Sequence, residues 1–194
     1  MIGNNKKGFT LIETVIVLGI FSIATTYAIS IFIQSNTVQK RTANIQRSTS
    51  DARYVLEVMA REFRMGTVDY DYYDGGSIPV PVDTLALRDE NNSPVIFKKM
   101  NSSGREAIQV CYDSEECVSG QWLDITPSTV KVDRLAFYIS PNEDPFTWQV
   151  GIGFGNNNQP RVTIILETKS NIEDSAKLHE SHFQTTVSSR KYER

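Results

Sequence analysis

Histidine and cysteine are scarce in this 194-residue chain, with two of each. His179 and His182 stand three apart with Glu180 between them, whereas a zincin needs histidines four apart on one helix face. No metal is expected there. Cys111 and Cys117 do not form a Cys-x-x-Cys pair, and no histidine pair accompanies them, so zinc binding and redox catalysis are not expected. The chain also lacks a nucleophile elbow, a P-loop and a paired-carboxylate signature. No enzyme activity and no cofactor are expected. No basic patch stands out and the net charge is -3, so nucleic-acid binding is not suggested. Mild acidity mainly favours solubility.

Charge is missing from a long N-terminal stretch. Between residues 9 and 33 the only charged residue is Glu13. A helix of that length reaches about 37 Å, and a bilayer core needs about 20 apolar residues to cross it. The run can therefore span a membrane. Glu13 lies near its start, where a carboxylate in lipid costs a few kcal/mol and is usually functional. The alternative is a side chain that snorkels to the interface from the helix end. Helix breakers are missing next: residues 34 to 65 contain neither glycine nor proline. Within them Ala52, Val55, Leu56, Met59 and Phe63 recur at spacings of three and four, an amphipathic stripe that Val38 and Ile45 continue upward. One helix over residues 9 to 65 is predicted, with Gly66 as its stop.

The order of features at the start is informative: Lys6-Lys7-Gly8-Phe9-Thr10-Leu11-Ile12-Glu13, then an uninterrupted apolar helix. This resembles the leader and start of type IV prepilins and of the pseudopilins of type II secretion. The resemblance implies that residues 1 to 8 are a cytoplasmic leader whose basic residues are Lys6 and Lys7. It implies that a prepilin peptidase cuts between Gly8 and Phe9 and methylates the new Phe9 amine. Glycine suits such a cut because it has no Cβ and lets extended backbone enter a narrow cleft. Glu13 would neutralise the Phe9 ammonium of a neighbouring subunit during assembly, each charge offsetting the other's cost in lipid. Many major pilins carry proline at the mature position that is Ser30 here, which points away from a major pilin. The helix segment 52–64 and the segment 125–137 resemble minor pilins and J-type pseudopilins. An ordinary secretory signal is the rival, with small residues around Ala24 and Ala28 as its cleavage site.

The resemblance also sets organisation and partners. Basic residues flank both sides of the apolar run (Lys6 and Lys7 before, Lys40, Arg41 and Arg47 after), so the positive-inside rule nearly ties. The cytoplasmic N-terminus is what the resemblance implies. The expected organisation is leader 1–8, transmembrane segment 9–33, amphipathic continuation 34–66 and an extracytoplasmic, β-rich domain over 67–194. Without Lys6 and Lys7 the mature chain has 18 basic and 23 acidic residues, a net -5. Expected partners are the peptidase, other pilins or pseudopilins, and an inner-membrane assembly platform. The expected function is a structural, minor, fibre-initiating or tip subunit of a type IV pilus or type II secretion pseudopilus. Rivals are a major pilin or competence pseudopilin and, from another class, a membrane-tethered binding or enzymatic domain.

Beyond residue 66 the chain reads as a loop over 67–81, then as strands. Residues 84–88 and 95–98 flank Asn91-Asn92 as a hairpin, and 107–112, 122–125, 130–139, 148–154, 161–168 and 183–188 follow. With no second long helix to cross over, the sheet should be largely antiparallel and the class α+β. Asp69, Asp71 and Asp74 lie in the loop ahead of glycines. They are a weak calcium candidate, since some pseudopilins bind calcium, but their spacing is not that of an EF-hand. An even cysteine count in an exported domain favours a Cys111–Cys117 disulfide.

Overall fold

The structure, a computed structural model, describes residues 8–73, 77–114, 117–118, 120–146, 148–149, 153–154, 158–170 and 180–190. Lys6, Lys7, Asp74 and His179 lie outside the described residues. The chain divides into two compact units, Met1–Ala43 and Asn44–Arg194.

Helix α1 runs Leu11–Met65 without a break, starting two residues later than the pattern suggests. Thr10 is the reason. Its hydroxyl accepts the Glu13 N–H at 3.3 Å, an N-cap that satisfies one of the orphan donors of a first turn. The first unit contains the apolar part of α1. Its large side chains are all solvent-facing, from 54% exposed at Ile29 to 84% at Leu11.

In the second unit α1 buries one stripe: Ser48, Ala52, Val55, Leu56, Met59, Ala60 and Phe63. Every member predicted from Ala52 onward is there. The upward continuation is not: Ile45 is only half-buried and Val38 is 62% exposed. The seven-residue spacing of those residues is real, but the cluster of buried residues begins at Ala52. Gly66 ends the helix, yet not through a left-handed backbone. A Cβ there would strike the Arg88 carbonyl oxygen and meet the Glu62 oxygen at 3.0 Å. Close approach of a strand, rather than φ, demands glycine.

The first sheet has the order β1 (Thr67–Val68), β2 (Thr84–Arg88), β3 (Pro94–Ser102), β4 (Arg105–Tyr112), β5 (Leu123–Asp124). The second combines β6 (Val130–Ser140), β9 (Arg161–Ser170) and β10 (Glu180–Ser188) in the order β10-β9-β6. All pairings are antiparallel, so the class is α+β, a long apolar N-terminal helix packed through its second part on antiparallel sheets. The predicted hairpin is present. Asp89 shapes its turn by accepting the Asn91 and Ser93 N–H groups, both at 2.8 Å, and Asn92 takes φ 64°. Strand β3 runs four residues past the predicted end because Ser103 and Gly104, both at positive φ, make a two-residue hairpin turn. Residues 148–154 are not one strand. They are two short ones, β7 (Trp148–Gln149) and β8 (Gly153–Phe154), paired with each other.

Leu85, Leu87, Phe97, Ile108 and Val110 from the first sheet and Phe137, Ile164 and Leu166 from the second join the helix stripe in one core. The sheets meet where Val82 and Phe137 exchange backbone hydrogen bonds of 3.0 and 2.8 Å. Beyond β10 the chain returns to the end of α1. The Ser189 hydroxyl donates to the Gly66 carbonyl at 2.7 Å and the Arg190 N–H to that of Arg64 at 2.9 Å. Carbonyls that a helix end leaves orphaned are thereby used.

Candidate functional site

At the N-terminus, Gly8 and Phe9 are exposed ahead of the helix, and nothing lies within 4 Å of where a Gly8 Cβ would be. An open, side-chain-free backbone is what an enzyme that binds an extended chain requires. Glu13 sits in the first turn of α1, exposed, three residues after the Thr10 cap. The Thr-x-x-Glu spacing is that of a capping box, a signal in the sequence that the assignment of Glu13 to assembly passes over. A carboxylate in a first turn also complements the positive end of the helix dipole.

Three hydroxyls in the apolar run are satisfied within the helix. Ser22 donates to the Leu18 carbonyl, Thr25 to Phe21 and Thr26 to Ser22, at 2.8 to 2.9 Å. Such bonds hide hydroxyl groups from an apolar medium. The helix is long and apolar enough to cross a membrane, and none of its apolar window is buried in the protein.

Of the three loop aspartates the described residues include Asp69 and Asp71, which line one surface cavity with Arg88. Asp69 is buried and its carboxylate meets the Arg88 guanidinium at 2.8 Å, so its charge is already compensated. Asp71 opens a short 3-10 turn, Asp71–Tyr73, and faces solvent. Among the described residues no group of three His, Cys, Asp or Glu could hold a metal. Two tyrosines that the sequence reading passed over organise this loop instead. The Tyr70 hydroxyl donates to the Pro141 carbonyl at 3.0 Å. The Tyr73 hydroxyl donates to the Thr84 carbonyl and accepts the Ala86 N–H, each at 2.9 Å. Burial pushes both phenols well above the ordinary tyrosine range.

Cys111 and Cys117 form a disulfide, with Cα atoms 6.2 Å apart, inside the usual range. The Trp122 indole N–H donates to the Cys117 carbonyl at 3.3 Å. His182 is exposed on β10.

Among known families, the one described as the prokaryotic N-terminal methylation motif matches residues 3–29. Neither the curated proteins nor the solved structures contain a match to the chain. The motif supports a pilin-like or pseudopilin subunit, a structural rather than enzymatic kind of protein, and implies peptidase processing and assembly with other pilin subunits. Together with the exposed apolar helix it fits a membrane-anchored pilin. Gly8, Phe9 and Glu13 lie inside the matched segment, and that motif indicates a start like that of a type IV prepilin.

Proposed function

We propose that this protein is a minor, fibre-initiating or tip subunit of a type IV pilus or type II secretion pseudopilus. It is made with its leader in the cytoplasm and its globular unit outside, cut between Gly8 and Phe9, and methylated at Phe9. An inner-membrane platform then assembles it with other pilins. The observation that carries this reading is a lone carboxylate, Glu13, on an apolar helix whose side chains have no cover in the protein. In a mere anchor the carboxylate would serve only to cap the helix start and complement its dipole, at a cost in lipid. In a fibre, the Phe9 ammonium of a neighbour offsets it. The minor role draws on the unbroken helix through Ser30, with no proline to kink it, and on the resemblance of segments 52–64 and 125–137.

The test separates a filament subunit from a tethered domain. Glu13→Gln keeps the size and the capping ability of the side chain but removes its charge, and Glu13→Leu removes both. Both variants are expected to be cleaved and to stay in the membrane, yet to fail to co-purify with partner pilins or enter fibres. Normal incorporation of Glu13→Gln would refute the charge pairing. Loss with Glu13→Leu alone would reduce Glu13 to a helix cap.

A further inference from the structure

A groove lies on the outer face of the second sheet, opposite the buried side chains of Phe137, Ile164 and Val187. Its floor is β6, β9 and β10. There Tyr138, Thr163 and Thr186 form one cross-strand row, and Ser140, Arg161 and Ser188 form the next. One wall is the segment before β2, tied along the free side of β6. The Ile78 N–H donates to the Asn142 carbonyl at 2.7 Å, and Val82 exchanges two hydrogen bonds with Phe137. Val80, 45% exposed, is thereby held in the groove with Tyr138. The volume is about 640 Å³, within the range of small-ligand sites. Ser140, Pro141 and Arg161 also line an adjoining hollow of about 320 Å³ with Asn158, Gln159 and Ser188.

The lining is rich in donors and carries a single charge. Arg161 is exposed, no described carboxylate lines the groove, and among the described residues none meets the Arg161 guanidinium. At the other end of the same face Arg134 and Lys169 already have partners, Glu167 at 3.3 Å and Asp133 at 3.1 Å. The Thr163 and Thr186 hydroxyls bond each other at 2.8 Å, so one of them keeps an O–H free to donate. Tyr138 is 37% exposed. Strand β9 is central and its backbone pairs with β6 on one side and β10 on the other, so the floor offers side chains only. An open guanidinium with no acid beside it favours an anion. A peptide laid on such a floor would leave its own N–H and C=O groups without partners, which is costly. A sugar is served by side chains alone: its hydroxyls pair with hydroxyls, and its C–H face suits the electron-rich face of a phenol ring.

We propose that this groove binds a uronic acid, a pyranose bearing a carboxylate, as a unit of an acidic polysaccharide. Arg161 takes the carboxylate with two parallel N–H donors. Tyr138 and Val80 receive the apolar face of the ring, and the Thr163–Thr186 pair gives its free O–H to a ring hydroxyl. The next unit of the polymer follows the adjoining hollow past Ser188. Every residue named lies in the second compact unit, and the inference goes beyond the pilin reading without resting on it.

Trigalacturonate is the probe, added to the full chain in detergent micelles and followed by calorimetry and saturation-transfer NMR. Its full methyl ester, the same sugar without charge, should bind about ten-fold more weakly. Arg161→Gln should weaken binding of the acid by the same factor, since a charge-assisted pair is worth about a decade in affinity. Tyr138→Leu should weaken it about five-fold. Arg134→Gln, on the same face but already matched with Glu167, should change nothing. All three side chains are exposed, so each variant should keep the unfolding temperature of the parent. No binding of trigalacturonate, equal binding of acid and ester, or full binding by Arg161→Gln overturns the proposal. So does triglutamate binding as tightly, which would make the groove a site for acidic peptides. The contrast between acid and ester is read on the unaltered protein and does not depend on how any variant folds.

Discussion

Tyr73→Phe removes one oxygen atom and, with it, two hydrogen bonds to β2. The Thr84 carbonyl and the Ala86 N–H lose their partner at 2.9 Å, and both residues are buried. Each bond is worth about 0.5–1.5 kcal/mol net, and each group left unpaired costs about 1–3 kcal/mol. Tyr73 is itself half-buried, so water reaches part of the gap, and the expected loss at neutral pH is about 2–3 kcal/mol. The same residue sets a pH dependence. Burial holds the folded phenol neutral, whereas the unfolded chain ionises near pH 10. The folded state then binds more protons than the unfolded one. Stability from this source is complete below pH 10 and falls as pH rises above it, by about 1.4 kcal/mol per pH unit. Tyr70 adds a loss in the same direction, which persists in the variant. Urea unfolding followed by tryptophan fluorescence, at neutral pH and at several values above 10, measures both effects. A variant within about 0.5 kcal/mol of the parent at neutral pH, or with an unchanged alkaline slope, would refute the bridging role of the hydroxyl.

Other substitutions test the remaining parts. Gly66→Ala pushes a Cβ into the Arg88 carbonyl, and should cost about 1–3 kcal/mol, read as a lower thermal midpoint. An unchanged midpoint would mean that β2 yields easily. Thiol labelling of the unreduced protein should find no free cysteine, and replacing Cys111 and Cys117 together with serine should cost about 2 kcal/mol by loop entropy without preventing membrane insertion. Mass spectrometry of the mature protein should show methylated Phe9 as its first residue, and Gly8→Val should leave the long form in the membrane. A start near Ile29 would mean ordinary signal cleavage instead.

Local chemistry is legible in order along the chain, so the N-terminal features, the helix, the stripe from Ala52 and the hairpin around Asn91-Asn92 could be read directly. Each depends on neighbours within about one or two helical turns or one strand register. With only two cysteines, the pairing was determined as well, once export was granted. Tertiary structure decided the rest. Gly66 looked like an ordinary helix stop, but what it accommodates is Arg88, far along the chain. Asp69 reads as one of three aspartates in a loop, and only the fold sets the Arg88 guanidinium against it. Tyr73 reads as one aromatic among three in a loop, and only the β2 backbone turns its hydroxyl into a substitute for strand pairing. The groove around Arg161 has no local signature either. Tyr138, Arg161 and Thr186 share a sheet face only because β6, β9 and β10 lie side by side, and strand order is fixed by contacts between residues distant in sequence.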